Sequence, residues 1–274
     1  MSEPDLIVRA SSLADWLDCP ERWRSKYLLG KSMPSGSAAH LGTSIHRGTA
    51  VFDTKRMEDG IASVEDAVDA AVEAVKNPRE EVRWDDFRPA EAIDIAARLT
   101  NEYCQTISPQ FTYKKVEMKL DPLDVIASNG IVVRFTGQID RERERDGMLG
   151  VIDVKTGKQV IRPDGSVNTQ MSGAQLATYE LLSLMATNTL QSPHILPAMI
   201  IAMPTAGKAR PAFAEIKNPH KMLIGDEQNK GAIDIISEMY KSDSFYGNAR
   251  SMYCSERLCP NFHGCRWRLT AEAE

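Results

Sequence analysis

The sequence predicts an α/β fold: a mixed central sheet flanked by helices. Three observations predict it. Short runs rich in apolar and β-branched residues, at 111–120, 131–138, 149–155, 195–203 and 211–217, are interspersed with stretches of helical periodicity. Two of these runs are joined by Arg141-Glu142-Arg143-Glu144-Arg145-Asp146-Gly147, a charged segment closing on Asp-Gly, a hairpin signal. Residues 61–76 and 89–107 are amphipathic and rich in Ala and acidic residues, and read as a helical insertion (57–108) over one side of the core.

Composition bounds the rest. A chain of 274 residues with 42% hydrophobic and 26% charged residues can bury one full core, so a single domain spanning 1–274 is expected. Met1 to Ala10 lacks a signal-peptide pattern, and the apolar stretch Ile195–Met203 is too short to span a bilayer. A cytoplasmic location without a membrane partner is the expectation. Five cysteines in a reducing compartment point to metal or redox chemistry rather than a disulfide frame. A formal charge of -5 argues against a generally basic nucleic-acid coat and leaves room for a local groove.

Taken in order, Ser12 reads as the N-cap of a first helix with Asp15 three residues on, and Pro20 opens a second helix running to Gly30. After a loop at 33–37, His40 to Gly48 enters a helix through Val51 and Phe52. Gly42 and His46 share a face of it, and glycine there permits close approach by another element. His46 is a half-buried histidine or a metal ligand or proton handler. Cys104 lies inside the second insertion helix as a small core residue. In the strand at 111–120, Val116, Met118 and Leu120 face one way; Glu117 faces the other and is either solvated or a third acid near a metal. Gln175 and Tyr179 share one face of a helix at 170–184, as an ordinary solvent-edge pair or something more. Residues 195–203 form a buried strand and 211–217 a strand nearer the edge. Pro219 opens one long helix through Ile224, Ile233, Ile236 and Tyr240.

The chemistry concentrates in the hairpin. The first strand ends on Asp140; the second carries Asp153 and Lys155, two apart and so on one face. A one-to-one hairpin lays Asp140 near the Asp153 end. Two carboxylates and an ammonium inside apolar sequence are either mutually paired or hold a metal ion. Hard oxygen donors suit Mg²⁺ or Mn²⁺, and a lysine beside such an ion can orient an attacking water or offset developing charge. The tail places Cys254, Cys259 and Cys265 within twelve turn-rich residues, which need a fourth ligand from Cys19, Cys104 or His263. Spacing alone leaves zinc and iron–sulfur equally open.

Five separated pieces then form an ordered set: Ser12-Leu13-Ala14-Asp15-Trp16-Leu17-Asp18-Cys19-Pro20, Leu41-Gly42-Thr43-Ser44-Ile45-His46, Gly137-Gln138-Ile139-Asp140-Arg141, Asp153-Val154-Lys155-Thr156-Gly157 and Gln175-Leu176-Ala177-Thr178-Tyr179. With the tail cysteines, this set resembles the RecB-type branch of the PD-(D/E)XK nuclease superfamily, and within it the iron–sulfur members such as the AddB nuclease domain and the CRISPR-associated adaptation nuclease. The resemblance implies a restriction-endonuclease-like sheet. It implies His46, Asp140, Asp153 and the Val154 carbonyl as ligands of Mg²⁺ or Mn²⁺, and Lys155 as the catalytic lysine. It also implies Gln175 and Tyr179 bordering the site and touching DNA, and Cys19, Cys254, Cys259 and Cys265 holding a [4Fe-4S] cluster that joins residues 1–30 to 245–274. Asp153 stands where many relatives have Glu, and Cys254 and Cys259 are separated by four residues where two is common.

The expected function is a metal-dependent deoxyribonuclease, an exonuclease on single-stranded DNA or DNA ends, with Lys114, Lys115, Lys158 and Arg162 lining the strand's path and aromatic groups available for stacking. The alternative is a non-catalytic iron–sulfur DNA-binding subunit working with recombination, repair or CRISPR adaptation proteins.

Overall fold

The computed structural model describes residues 3–170, 172–186, 195–207 and 210–268. In chain order the elements are β1 (Leu6–Arg9), α1 (Leu13–Asp18), α2 (Pro20–Trp23), β2 (Ser35–Gly36), α3 (Ser37–Asp59), α4 (Val64–Lys76), β3 (Val82–Arg83), α5 (Pro89–Glu102), β4 (Thr112–Ile126), β5 (Val132–Arg145), β6 (Met148–Gly157), α6 (Gly173–Ala186), β7 (Ala198–Pro204), β8 (Ala212–Ile216), α7 (Lys221–Ile224) and α8 (Ala232–Lys241).

The sheet is mixed, as the sequence predicts. β5 is its spine. β4 pairs antiparallel along nearly its whole length; on the other side β1 runs parallel to Val133–Thr136, and β6 runs antiparallel to Arg141–Arg145. β7 continues parallel to β6, and β8 closes the edge antiparallel to β7. Residues 137–140 of β5 fall between β1 and β6, with no ladder partner on that side. The sheet is therefore split at that level. One face buries Val151, Ile200 and Ala202 against α6. The other buries Ile152, Val154, Met199 and Ile201 under α3 and the helices α4 and α5. Gly48 lets α4 close onto α3: a Cβ there would meet the Ala67 carbonyl at 2.5 Å.

Several expectations change. The charged run 141–145 is not a connecting loop but the continuation of β5; only Asp146 and Gly147 turn, both with positive φ (56° and 77°). Arg141, Glu142 and Arg143 are buried. Ser12 holds the N-cap position of α1, but its side chain makes no capping bond: its hydroxyl donates to the Arg9 carbonyl and accepts from Trp23 Nε1 at 3.0 Å. Pro20 does open α2, which runs on through a π turn at Arg24–Leu28. The long C-terminal helix is two helices, because Gly225 takes φ 72° and the chain loops back between them to Gly231.

The two ends of the chain are sewn together. Trp23 stacks on Phe245 (centroids 6.3 Å), the Glu21 amide donates to the Tyr246 carbonyl (3.0 Å), and Arg22 donates to the Leu258 carbonyl (3.3 Å) while lying over the Tyr253 ring. Asp15 anchors this lobe, gripped by Arg22, Lys26 and the Tyr27 hydroxyl. Burial pushes the Asp15 carboxyl up, but the two cations outweigh it and leave it below its usual value. A carboxyl lowered in the folded state contributes stability that is complete above the unfolded pKa, about 3.9, and is lost as pH falls through the folded value. Asp15→Asn should therefore lower the urea midpoint at pH 7 and narrow its gap to wild type as the pH approaches 3; a constant gap would contradict the pairing.

Candidate active site

Three adjacent strands bring three carboxylates to one level. Val116 faces Arg141 and Met118 faces Ile139, which sets Glu117 opposite Asp140. Arg141 faces Ile152, which sets Asp140 opposite Asp153. Directly opposed residues share a face and stand close. The row lies where the sheet splits. There Asp140 Oδ2 accepts the Val154 N–H at 2.7 Å, giving that amide the partner the interrupted ladder does not. Glu117 takes a left-handed conformation (φ 48°), unusual for a strand residue and a form of strain found at functional sites.

Helix α3 supplies the fourth group. Gly42 allows it to press on β6, since a Cβ there would lie 3.1 Å from Thr156 Oγ1. One turn on, His46 Nε2 lies 2.7 Å from the Val154 carbonyl; its Nδ1 lies 3.6 Å from Asp140 Oδ2 and 3.8 Å from Glu117 Oε1. The donor atoms of His46, Glu117 and Asp140 all fall within 4.8 Å of one another, a spacing that suits one hard cation. Asp153 is set slightly apart: its side chain is fully buried and paired with Lys155, whose Nζ lies 2.9 Å from both carboxylate oxygens. Lys155 donates a hydrogen bond to Oδ1. Three carboxylates and an imidazole gathered at one level, with a single lysine ammonium against Asp153, fit a divalent ion.

Burial and mutual charge shift the members of this group in different directions. Burial raises the Asp153 carboxyl to about 6, Lys155 opposes the rise, and Asp140 adds to it. His46 is pushed down by burial and more strongly up by Asp140 and Glu117, so it ends above its usual value. Burial raises Glu117, but the nearby His46 imidazole and the charge of Arg141 leave it lowered.

Lys155 is held by a chain of contacts from α6. Its Nζ donates to Gln175 Oε1 (2.9 Å), and Gln175 Nε2 donates to the Tyr179 hydroxyl (2.7 Å). Gln175 and Tyr179 thus meet Lys155 as the spacing suggests, but Tyr179 is buried and cannot present its ring to DNA. It packs flat on β5 at Gly137, where a Cβ would approach its ring to 2.9 Å.

The basic residues expected to guide a strand are mostly engaged. Lys114 pairs with Glu144 (3.7 Å) and Lys115 with buried Glu142 (3.1 Å). Lys158 sits over the Phe87 ring, and Arg162 leans on Asn168 within its own loop. Cys19, Cys254, Cys259 and Cys265 line one cavity, while Cys104 is buried elsewhere and His263 is exposed and bonded to Glu256.

One group went unread in the sequence. Arg141, fully buried, donates to Asp53 Oδ2 (2.6 Å), Thr49 Oγ1 (3.1 Å), the Asp140 carbonyl (2.7 Å) and Glu117 Oε1 (3.3 Å). Asp53 is further held by Ser108 and Tyr103. His46, Thr49 and Asp53 stand at helical spacing on one face of α3, the signal that could have exposed this group.

With this geometry in place, the comparisons with known proteins are direct. The profile of the PD-(D/E)XK nuclease superfamily matches residues 9–259. The chain belongs to that superfamily of nucleases, hydrolases of phosphodiester bonds that use divalent metals. A search of curated proteins finds no match. Among solved structures, a protein from Eubacterium rectale, provisionally assigned as an exonuclease, is similar at 11% identity and TM-score 0.54, over 89% of this chain and 85% of that one. A crystal structure of SSO0001 covers 98% of this chain and 91% of that one at 14% identity and TM-score 0.46. At 11% identity the likeness to the Eubacterium rectale protein shows the fold alone.

Because Gly137 seats Tyr179, and Tyr179 seats Gln175 against Lys155, Gly137→Ala should cut nuclease activity by about 10–100-fold, the cost of an ångström-scale misplacement in an active site. Cleavage assays beside a thermal melt check this; full activity in the variant would show that the chain from Tyr179 to Lys155 is dispensable.

Proposed function

We propose that this chain is a metal-dependent deoxyribonuclease, an exonuclease acting on single-stranded DNA or on DNA ends. The observation that carries the reading is the row of Glu117, Asp140 and Asp153 at the split in the sheet, with His46 on one side and Lys155 on the other. His46, Asp140 and Asp153, joined by the Val154 carbonyl and by Glu117, would hold Mg²⁺ or Mn²⁺; such an ion lowers the pKa of bound water and offsets charge at phosphorus. Lys155 keeps its proton, since Asp153 and Asp140 outweigh the effect of burial, and so serves as a fixed positive charge and hydrogen-bond donor beside the attacked phosphate. Gln175 keeps that ammonium aimed. Action on ends follows the resemblance to iron–sulfur RecB-type nucleases and the assignment of the Eubacterium rectale relative. Lys158 and Arg162, on the segment after β6, are the basic residues that the sequence suggests would meet a strand.

Lys155→Ala should abolish Mg²⁺- or Mn²⁺-dependent cleavage of labelled single-stranded, linear duplex and circular DNA while leaving the thermal melt intact. Undiminished cleavage by the variant would remove Lys155 from the mechanism. Wild-type protein that binds DNA but cuts none of these substrates would favour the non-catalytic reading. Resistance of the circular substrates alone would support action on ends.

The four cysteines lining one cavity support a [4Fe-4S] cluster as a structural staple. A single tetrahedral zinc draws its sulfurs to within roughly 4 Å of one another. Metal content of the purified protein separates an iron–sulfur cluster from such a zinc. A tie between residue 19 and the tail closes almost the whole chain and is worth roughly 4 kcal/mol by analogy with long disulfide loops. Purified protein should be brown and carry iron, and Cys259→Ser should be colourless and aggregation-prone. A Cys259→Ser protein that stays folded and fully active would rule out the staple; zinc in place of iron would overturn the cluster.

A further inference from the structure

We infer that the buried Arg141–Asp53 pair is the positioning device of the metal centre, the strut that sets the donor atoms of His46, Glu117 and Asp140 to a common point. This rests on the metal-site reading above and extends it to two residues that touch neither metal nor substrate.

Four observations carry it. Arg141 and Asp53 are both fully buried, and a buried pair needs every donor and acceptor satisfied to persist. The guanidinium uses its fork to do so: Nε to Asp53, Nη2 to Thr49, and Nη1 both to the Asp140 carbonyl and to Glu117 Oε1. These partners lie on the three elements that carry the donor atoms. Asp53 and Thr49 are on α3, two turns and one turn beyond His46; Asp140 is on β5; Glu117 is on β4. One planar cation therefore indexes a helix and two strands against each other. Finally, Glu117 stands in a left-handed conformation in the middle of a strand, a state that persists only where its surroundings over-determine it. Its carboxylate is fixed by Arg141 through Oε1 and by Gln138 through Oε2 at 2.8 Å.

The far side of the strut is equally constrained. Tyr103 donates to Asp53 at 2.7 Å and lies 3.0 Å from the Tyr113 hydroxyl, and Ser108 donates to the other Asp53 oxygen. Asp53 is thus saturated with donors and cannot swing away from Arg141. Lysine could not replace Arg141, because a point charge with three rotatable donors cannot reproduce the planar fork that serves four acceptors.

A structural role and a positioning role predict different behaviour, and one pair of variants separates them. Removing one partner strands a buried charge and destabilises the protein, whereas replacing both with apolar side chains of similar size often restores stability. Arg141→Met should therefore melt well below wild type, and Asp53→Leu/Arg141→Met should recover most of that loss. Mn²⁺ binding to each protein, measured by titration calorimetry in the absence of DNA, is the deciding readout. With the strut gone, the double variant should bind Mn²⁺ about 10–100-fold more weakly than wild type although it is stable, the range seen when outer partners of metal ligands are removed. Arg141→Lys should fall on the weak side with the double variant, not with wild type. If the double variant is stable and binds Mn²⁺ as wild type does, Arg141 and Asp53 only hold the fold and the inference is overturned. If the double variant does not recover, Arg141→Lys and Tyr103→Phe decide on the same readout, and wild-type affinity in both overturns it. Wild-type protein that binds no Mn²⁺ at all would instead refute the metal-site reading on which the strut rests.

Discussion

The cost of burying charge governs this structure. Asp53, Arg141 and Asp153 are completely removed from solvent, and Asp140, Glu142 and Arg143 nearly so. An unpaired ionised group in such a place costs several kcal/mol, so each must find its counter-charge within the fold. On the α3 side of the sheet the demand is met internally: Arg141 takes Asp53, and Arg143 reaches over Gly150 to the Pro197 carbonyl and Glu215. On the α6 side it is met only in part. Lys155 is the sole ammonium drawn to the Asp153 carboxylate among the described residues, and it faces both oxygens of that group with Asp140 and Glu117 beside it. The resulting excess of negative charge is the condition for holding a divalent cation.

Topology places this imbalance where chemistry can use it. A continuous sheet would have paired residues 137–140 of β5 with a neighbour and closed the space. Instead β1 and β6 pair with separate parts of β5 on the same side, and the row formed by Glu117, Asp140 and Asp153 lies at the unpaired stretch between them. The long helix α3 enters from the opposite face and presents His46 at the Val154 carbonyl, so the imidazole arrives through the backbone rather than across the sheet. Helix α6 closes the other side and aims Lys155 through Gln175. The termini, stitched through Trp23, Arg22 and Phe245, hold the first helices against α6 and so support the same side from behind.

Much of the site was legible in the sequence because its signals are local. Asp153 and Lys155 share a strand face by simple alternation, and Asp-Gly fixes a two-residue turn that brings Asp140 level with them. Gly42 before His46 likewise marks a close helix–strand contact. What escaped was set by tertiary context. The run from Arg141 to Arg145 looks like a solvated loop because charge in sequence is ordinarily charge in water; only the neighbouring Asp53, far away in sequence, makes Arg141 a core residue. Tyr179 looks like a surface partner of Gln175 until β5 is laid against α6. Glu117 could be assigned to neither solvent nor site, since its left-handed turn is a property of the assembled strand and not of its own preference. Ser12 had the residues of a helix cap but is diverted by Trp23, whose indole N–H needs an acceptor once buried.

The most direct test of this arrangement is a crystal of the wild-type protein soaked in Mn²⁺, with anomalous scattering used to place the ion. A single peak in the split of the sheet, about 2–2.3 Å from a nitrogen of His46 and an oxygen of Asp140, with Asp153 or Glu117 completing the set, is the expected result. A structure in which Mn²⁺ is absent from that position, or in which these side chains remain too far apart to share one ion, would contradict it.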